Sequence, residues 1–448
     1  MPQYSYATLQ DALNALYSRL YQSFTDATQM QWTPAELTGY VCEALRNWNA
    51  LTSFQRQDMA FSTTANQWWY DLRAVTGTII PYTVSQASII QQIQNHLLEP
   101  PNTAYPLVWS GSNQFDFRAI LLALQRRQNE TLGVTACTVQ RSTWNAPIAP
   151  RVPLNDTVID IRRVAWLPTP GQGYLARVLR QSDRWASRAF NPFYTVEPSL
   201  PPSNWFQSTE PPPSFEVDAV PPVAGNYDVL TVNSGPNWLA TAPGGTTIPD
   251  DWTWVFKWGA LSDLLSREAN AKDAFRAEYC KTRYEEGLKL LERQPIVLAA
   301  RVNNLPVSCD PVRNADDFNP LWQAIPSGAV TKVYLAGNLM ACAPAPNGAS
   351  GISVTVVQNQ PIPIATSSYL QVARDDFDTI IDYAQHLAMF KQGGQEFAAS
   401  VSLYQKFQRK AALYTSKLKE MGFFSLPELE FSQAQELESP RYSAEQGG

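Results

Sequence analysis

The sequence predicts an α+β protein in which helical bundle segments carry two β-rich insertions. Three observations predict it. Apolar residues recur at helical spacing near both ends and in the middle of the chain. Two intervening stretches switch to a two-residue alternation broken by proline and glycine. The second strand-then-helix passage also repeats the pattern of the first, which points to an internal repeat of strands followed by a helical hairpin.

Residues 1–133 read as a mainly helical N-terminal domain. Leu9, Leu13, Leu16 and Leu20 share one helix face. Thr33-Pro34-Ala35-Glu36 is a helix start: Thr33 can cap, Pro34 suits the first turn and Glu36 can close a capping box. Leu37, Val41, Leu45 and Trp48 then form a stripe. Between Phe54 and Leu72 the helical period fails, and Phe61 and Trp68-Trp69-Tyr70 suggest short extended pieces. Helices resume over 84–98 (Ile89, Ile93, Leu97) and 115–129 (Phe117, Ile120, Leu121, Leu124).

Residues 134–248 read as a proline-rich, acidic, antiparallel β domain. Ile159, Ile161, Val164 and Trp166 lie in one extended run, and Phe215, Val217 and Ala219 alternate with acids. Tyr227, Val229 and Thr231 follow a turn at Pro221, Pro222 and Gly225. From Ala189 to Phe256 there is no lysine or arginine, yet there are seven acids and twelve of the 34 prolines. Proline cannot donate to a sheet ladder, so these mark loops and edges. The charge is read either as a solvated loop-rich surface or as an acidic docking face.

A helical hairpin is expected over 249–294, with Asp250 capping and Trp254, Trp258, Leu261 and Leu265 as its stripe. A second β region covers 295–372 and a C-terminal helical hairpin 373–420. Aligning Asp250-Asp251-Trp252 with Asp375-Asp376-Phe377 places Trp258 on Tyr383 and Tyr279 on Tyr404. The proline–glycine turn near Pro222 likewise matches the one near Pro346. Residues 421–448 are expected to form an extended C-terminal arm. Phe423, Phe424, Leu426, Leu429 and Phe431 crowd its start, and Arg441 is its one basic residue after Lys419. Such an arm suits docking on a partner, and these five are the candidate partner-binding residues.

Composition narrows the function. The chain has 448 residues and net charge -6, so general phosphate gripping is disfavoured, although a local basic patch stays open. Charged residues are only 17% and aromatics 12%, a surface suited to being covered by partners. His96 and His386 are far apart and both fall in helices, where packing is the expected role. The five cysteines lack CxxC spacing, consistent with reduced thiols in a cytoplasm. No apolar run reaches the ~18–20 residues of a membrane span, and none begins like a signal peptide.

Chemical motifs are few. There is no P-loop, GxSxG or HExxH pattern. Gly171-Gln172-Gly173-Tyr174-Leu175-Ala176 fits a dinucleotide fingerprint in form, but Pro168 and Pro170 and the lack of βαβ context make it a hairpin turn. Asp250-Asp251 and Asp375-Asp376 sit where helices begin, which capping and dipole complementarity explain. Glycosidase carboxylates are set by fold rather than spacing, so spacing leaves them open. Among aromatics, Trp254 and Trp258 read as core, whereas Trp205 and Phe206, between proline clusters, are candidate exposed aromatics. No catalytic, metal or cofactor residues are expected.

The passages Trp32-Thr33-Pro34-Ala35-Glu36-Leu37 to Glu43-Ala44-Leu45-Arg46-Asn47-Trp48-Asn49, then Phe61-Ser62-Thr63-Thr64-Ala65 and Tyr70-Asp71-Leu72, resemble tailed-bacteriophage neck proteins of the head-to-tail adaptor (connector) type. So do Ile248-Pro249-Asp250-Asp251-Trp252, Trp258-Gly259-Ala260-Leu261, Ala277-Glu278-Tyr279-Cys280 and Tyr284-Glu285-Glu286-Gly287, with the theme repeated at Asp382-Tyr383-Ala384, Tyr404 and Phe407. The resemblance implies a non-enzymatic structural virion protein, assembled in the host bacterial cytoplasm. It implies a homo-oligomeric ring, often twelvefold, that contacts the portal and tail or neck proteins and lets genomic DNA pass without sequence preference. No membrane contact or cofactor is implied. Adaptors of this type are commonly shorter, while this chain carries two β regions. The alternative is a carbohydrate- or receptor-binding module of the tail or collar, resting on the β regions and on Trp205 and Phe206.

Overall fold

A computed structural model describes residues 7–20, 31–75, 79–98, 115–146, 151–171, 173–185, 189, 201–208, 214–239, 244–267, 272–293, 297–357, 365–370 and 372–420. The Phe423–Phe431 cluster lies outside these residues. The fold is α+β, with nine α-helices and two curled, half-barrel sheets of seven strands each among the described residues.

In chain order the elements begin with α1 (Leu9–Arg19), α2 (Pro34–Thr52), β1 (Arg56–Ser62) and β2 (Trp69–Asp71). An inner unit follows: α3 (Gln86–His96), α4 (Phe117–Thr135), β3 (Gln140–Ala146), β4 (Arg151–Pro153), β5 (Val158–Pro168), β6 (Arg177–Gln181), β7 (Asn204–Ser208), β8 (Ser214–Val217), β9 (Gly225–Asn233), α5 (Thr253–Leu265) and α6 (Ala274–Arg293). The chain then returns through β10 (Val297–Val302), β11 (Leu305–Pro311), α7 (Val312–Phe318), β12 (Lys332–Ala336), β13 (Leu339–Ala343), β14 (Gly351–Val357), α8 (Arg374–Gln392) and α9 (Gly394–Glu420).

The sheet orders are β1-β14-β10-β11-β12-β13-β2 and β3-β9-β5-β6-β7-β8-β4. They are the same order. In both, only the fourth and fifth strands run parallel. The register matches as well. Phe61 pairs with Ile352 as Trp144 pairs with Tyr227. Ile352 pairs with Val302 as Tyr227 does with Trp166. Ala300–Val307 corresponds to Val164–Leu179, Val333–Cys342 to Trp205–Val217, and Met340–Tyr70 to Phe215–Val152. These pairs fill the inner curve of each sheet, and the inner unit uses the bulkier side chains.

The helices repeat too. α1 and α3 are both 11 residues long, capped by Thr8 and Ser85, whose hydroxyls each accept from the amide three residues on. The amide of Leu9 donates to Ser368 O as that of Gln86 does to Gly244 O, both at 2.9 Å. α2 and α4 are both 19 residues and end on a left-handed residue, Ser53 at φ 50° and Ala136 at φ 48°. In the last turn of each, a threonine hydroxyl donates back one turn: Thr52 to Trp48 O and Thr135 to Thr131 O, both 2.7 Å. The expected capping box at Thr33 and Glu36 is present.

The expected repeat of strands and helical hairpin is therefore found, and it is larger than the hairpins alone. Trp258 and Tyr383 are both fully buried in the first helix of their hairpins. Each packs on a tyrosine of the second helix, Trp258 on Tyr279 at 5.7 Å and Tyr383 on Tyr404 at 5.4 Å. The linear division of the chain expected from sequence is corrected. One copy is nested inside the other: β1 and β2, from the N-terminal segment, complete the sheet made by residues 297–357. Alternation and helical period are local signals, whereas strand pairing across an inserted unit leaves no trace in either.

Candidate interaction site at the junction of the two units

Two buried polar clusters lie where the inner unit meets the outer one. On the sheet side, the outer face of β5 and β9 packs on β2, β13 and the segment after α7, around an apolar patch that includes Val139, Leu230, Trp322 and Ala341. Asp228, with no exposure, accepts from Arg141 Nε at 2.6 Å and from Trp69 Nε1 at 3.2 Å. Arg163 donates to Asp316 at 2.9 Å and to Gln323 at 2.8 Å, and its guanidinium lies 5.5 and 5.3 Å from the Trp69 and Trp322 rings. Asn338 closes the seam by accepting from the Val139 amide at 2.6 Å. Next to it, Gly337 holds φ +56°, and a Cβ there would lie 2.6 Å from Ala136 O, so the turn between β12 and β13 can approach α4 only with glycine.

On the helical side, Glu43 of α2 is ion-paired with Lys257 of α5 and accepts from Trp258 Nε1 at 2.8 Å. Lys257 is 1% exposed. Burial pulls its pKa down, and the Glu43 charge works against that pull. Arg283 of α6 bonds Asn47, Tyr404, Tyr383 at 2.9 Å and Glu286 at 2.9 Å. Burial opposes the Arg283 charge, but the surrounding tyrosines and Glu286 outweigh it and hold the pKa well above the usual value. All these cations are matched inside the chain, so the clusters fix one unit against the other.

Both histidines join this junction, in packed positions as expected. His386 contacts Ser400 Oγ through Nδ1 and Tyr279 OH through Nε2, both at 2.8 Å. Ser400 donates to Phe397 O at 2.7 Å, so its hydroxyl accepts from His386 Nδ1–H and the Tyr279 hydroxyl donates to Nε2. Burial pushes the His386 pKa down to about 3, and burial with the nearby Lys257 charge drives His96 well below its usual value. Both stay neutral in the fold and take up protons once unfolded, so the unfolded state binds more protons below about pH 6.5. Stability is complete above that pH and falls as pH drops, by about 1.4 kcal/mol per histidine per pH unit. Urea midpoints at pH 7.5 and 5.5 should show the loss, and His386→Gln should remove about half of the pH dependence.

Several expected sites are corrected. Trp205 and Phe206 are not exposed: at 2% and 3% they lie in β7, between β6 and β8. Pro201 and Pro202 stand just before this buried strand. The acidic β domain does not turn all its acids outward, since Glu216, Asp228 and Asp250 are buried. Asp250 does not cap its helix. Its carboxylate accepts from the Thr83 and Val84 amides, at 2.7 and 2.9 Å, tying the inner hairpin to the strap before α3. α8 likewise begins without a side-chain cap, although Asp375 and Asp376 occupy its first turn. The Gly171–Gly173 passage is the expected turn between antiparallel β5 and β6.

A cleft of about 1070 Å³ opens beside the sheet junction, lined by Arg162, Arg180 and Arg313 together with Asp160, Asp317 and Glu292. Its mixed charge gives no field of one sign. Among the described residues no group of three or more His, Cys, Asp or Glu side chains could hold a metal ion, and no helix is long and apolar enough to cross a membrane. The five cysteines are free thiols, with burial raising Cys42 to about 11 and Cys309 to about 12. No family model matches the chain, and no curated protein matches it either.

The junction residues were missed in the sequence, though two carried a signal. Lys257 is the one charge between Trp252 and Ser262, and a cation in an all-apolar helix needs a partner. Arg163 opens directly onto the apolar run Val164, Ala165, Trp166 and Leu167. Glu43 and Asp228 carried none, because their partners come from distant elements.

Proposed function

We propose that this chain is a non-enzymatic structural protein, a ring-forming subunit of the head-to-tail joint of a tailed bacteriophage. In this reading copies surround a channel through which DNA passes, and the ring joins the portal to tail or neck proteins. One observation carries it: two equivalent units pack through different faces, α2 of the outer unit against α5 and α6 of the inner one. Head-to-tail contacts between like units are the kind that close into rings. The adaptor-like passages at Trp32–Asn49 and Ile248–Gly287 support the same reading, and most of them lie in the helices of this junction. The carbohydrate- or receptor-binding alternative rested on the β regions and on Trp205 and Phe206 at the surface, and those two aromatics are buried.

Negative-stain electron microscopy of the purified full chain, alone and mixed with a portal protein, tests the proposal. Rings with a central hole are the expected result. Dispersed monomers in both samples overturn it.

A further inference from the structure

The head-to-tail packing of the two units leaves one of each pair of faces without its counterpart. In the outer unit, α2 is covered: Glu43 is 4% exposed beneath Lys257, and Asn47 is 2% exposed beneath Arg283. α4 is the equivalent of α2, matched in length, in its left-handed end and in its last-turn threonine bond. Counting back from those matched ends, Arg126 stands where Glu43 does and Glu130 where Asn47 does. Both are exposed, and they are flanked on the same face by Leu122 at 45% and Val134 at 47%. Val134 thus stands open where the sister unit has buried Leu51, and Leu122 extends the apolar face one turn further, where α2 has the exposed Gly39.

From the inner unit, α2 is met by α3, by Lys257 and Trp258 of α5 and by Arg283 of α6, the rest of its packing being against α1, α8 and α9 of its own unit. The equivalents of α3, α5 and α6 in the outer unit are α1, α8 and α9. Within the chain the covered side is acidic at Glu43 and the covering side basic at Lys257 and Arg283. On the open pair of faces the signs are reversed. α4 presents Arg118 and Arg126, both exposed. α8 presents exposed Asp375 and Asp378, with Asp382 beneath them. Arg19 pairs with Asp378 at 3.0 Å and holds Asp382, as Lys406 does, while Glu130 on the other face pairs with Arg127 at 2.9 Å. The reversal lets the second contact form while like charges oppose exchange of the two contacts.

We propose that the exposed face of α4, with Leu122, Arg126, Glu130 and Val134, docks α1, α8 and α9 of a second copy of this chain. The docking repeats, from chain to chain, the contact that the inner unit makes on α2. This deepens the ring-forming reading and rests on it, by naming the surface through which copies meet.

The test is sedimentation velocity of the full chain over a range of concentrations. Wild type should form larger species as concentration rises. Leu122→Glu and Arg126→Asp should each weaken assembly by about tenfold or more. Their unfolding midpoints should stay near wild type, because both positions are exposed. Asp378→Arg should be defective alone, and mixing it with Arg126→Asp should restore assembly, since two intact faces meet in one contact and the two substituted faces, with their charges exchanged, are complementary in the next. Rings that persist unchanged with Leu122→Glu and Arg126→Asp overturn this surface and leave the ring-forming reading standing. A wild type that stays monomeric, with and without portal, overturns both.

Discussion

Glu43→Ala should destabilise the protein by about 5 kcal/mol. The substitution leaves Lys257, 1% exposed, without the carboxylate that compensates its charge. Its remaining side-chain partner is Gln92, whose amide oxygen lies 3.3 Å away. Removing one member of a buried ion pair typically costs about 3–5 kcal/mol, and the orphaned Trp258 N–H adds about 1–3. A whole domain is stable by only about 5–15 kcal/mol, so the variant should sit near its folding threshold. Urea denaturation of the full chain measures the loss. Two companions separate charge from packing. Glu43→Gln keeps an acceptor for Trp258 and should lose less. The pair Glu43→Leu with Lys257→Met removes both charges and should recover most of the stability. A single Glu43→Ala variant as stable as wild type would show that the junction does not depend on this pair.

Trp205→Ala should cost about 3–5 kcal/mol and leave glycan binding unaffected. Trp205 is 2% exposed and belongs to the inner-curve core of its sheet, with Val152, Phe215 and Val217. Its counterpart in the outer unit is Val333, buried in the same register. The asymmetry of size gives a second measurement: Val333→Ala removes less volume and should cost clearly less. A glycan array on which wild type binds and Trp205→Ala does not, at equal stability, would reverse the assignment of this residue to the core.

Helices were legible in the sequence because each carries its own stripe and stop signals. Thr33, Pro34 and Glu36 announce α2, and Leu37, Val41 and Trp48 give its buried face. Strands such as β9 were legible through Tyr227, Val229 and Thr231. The repeat was visible where helical residues align, at Trp258 and Tyr383, but faded in the sheets. There Phe61 stands for Trp144, Val302 for Trp166 and Val333 for Trp205, so volume was redistributed while only apolarity was kept. Nesting was not legible, because β2 does not reveal that its partner β13 lies beyond an entire second unit. Trp205 and Phe206 were misread because proline was weighed as exposure, when here Pro201 and Pro202 stand just before a buried strand.

The nesting also sets the order in which the chain can close on itself. β1 and β2 leave the ribosome early, yet β14 and β13, with which they pair, follow only after the inner unit has been made. At about 5–20 residues per second, that delay is about 15–60 s. During it, Phe61, Trp69 and Tyr70 have no sheet to enter. The inner unit has all its strands once β9 is synthesised and its helical hairpin once α6 is. By then Asp228 and Val139 are in place to receive Trp69 and Asn338. The earlier-finished copy is thus the surface on which the split copy is gathered, so the first strands of the chain are among the last to find their neighbours.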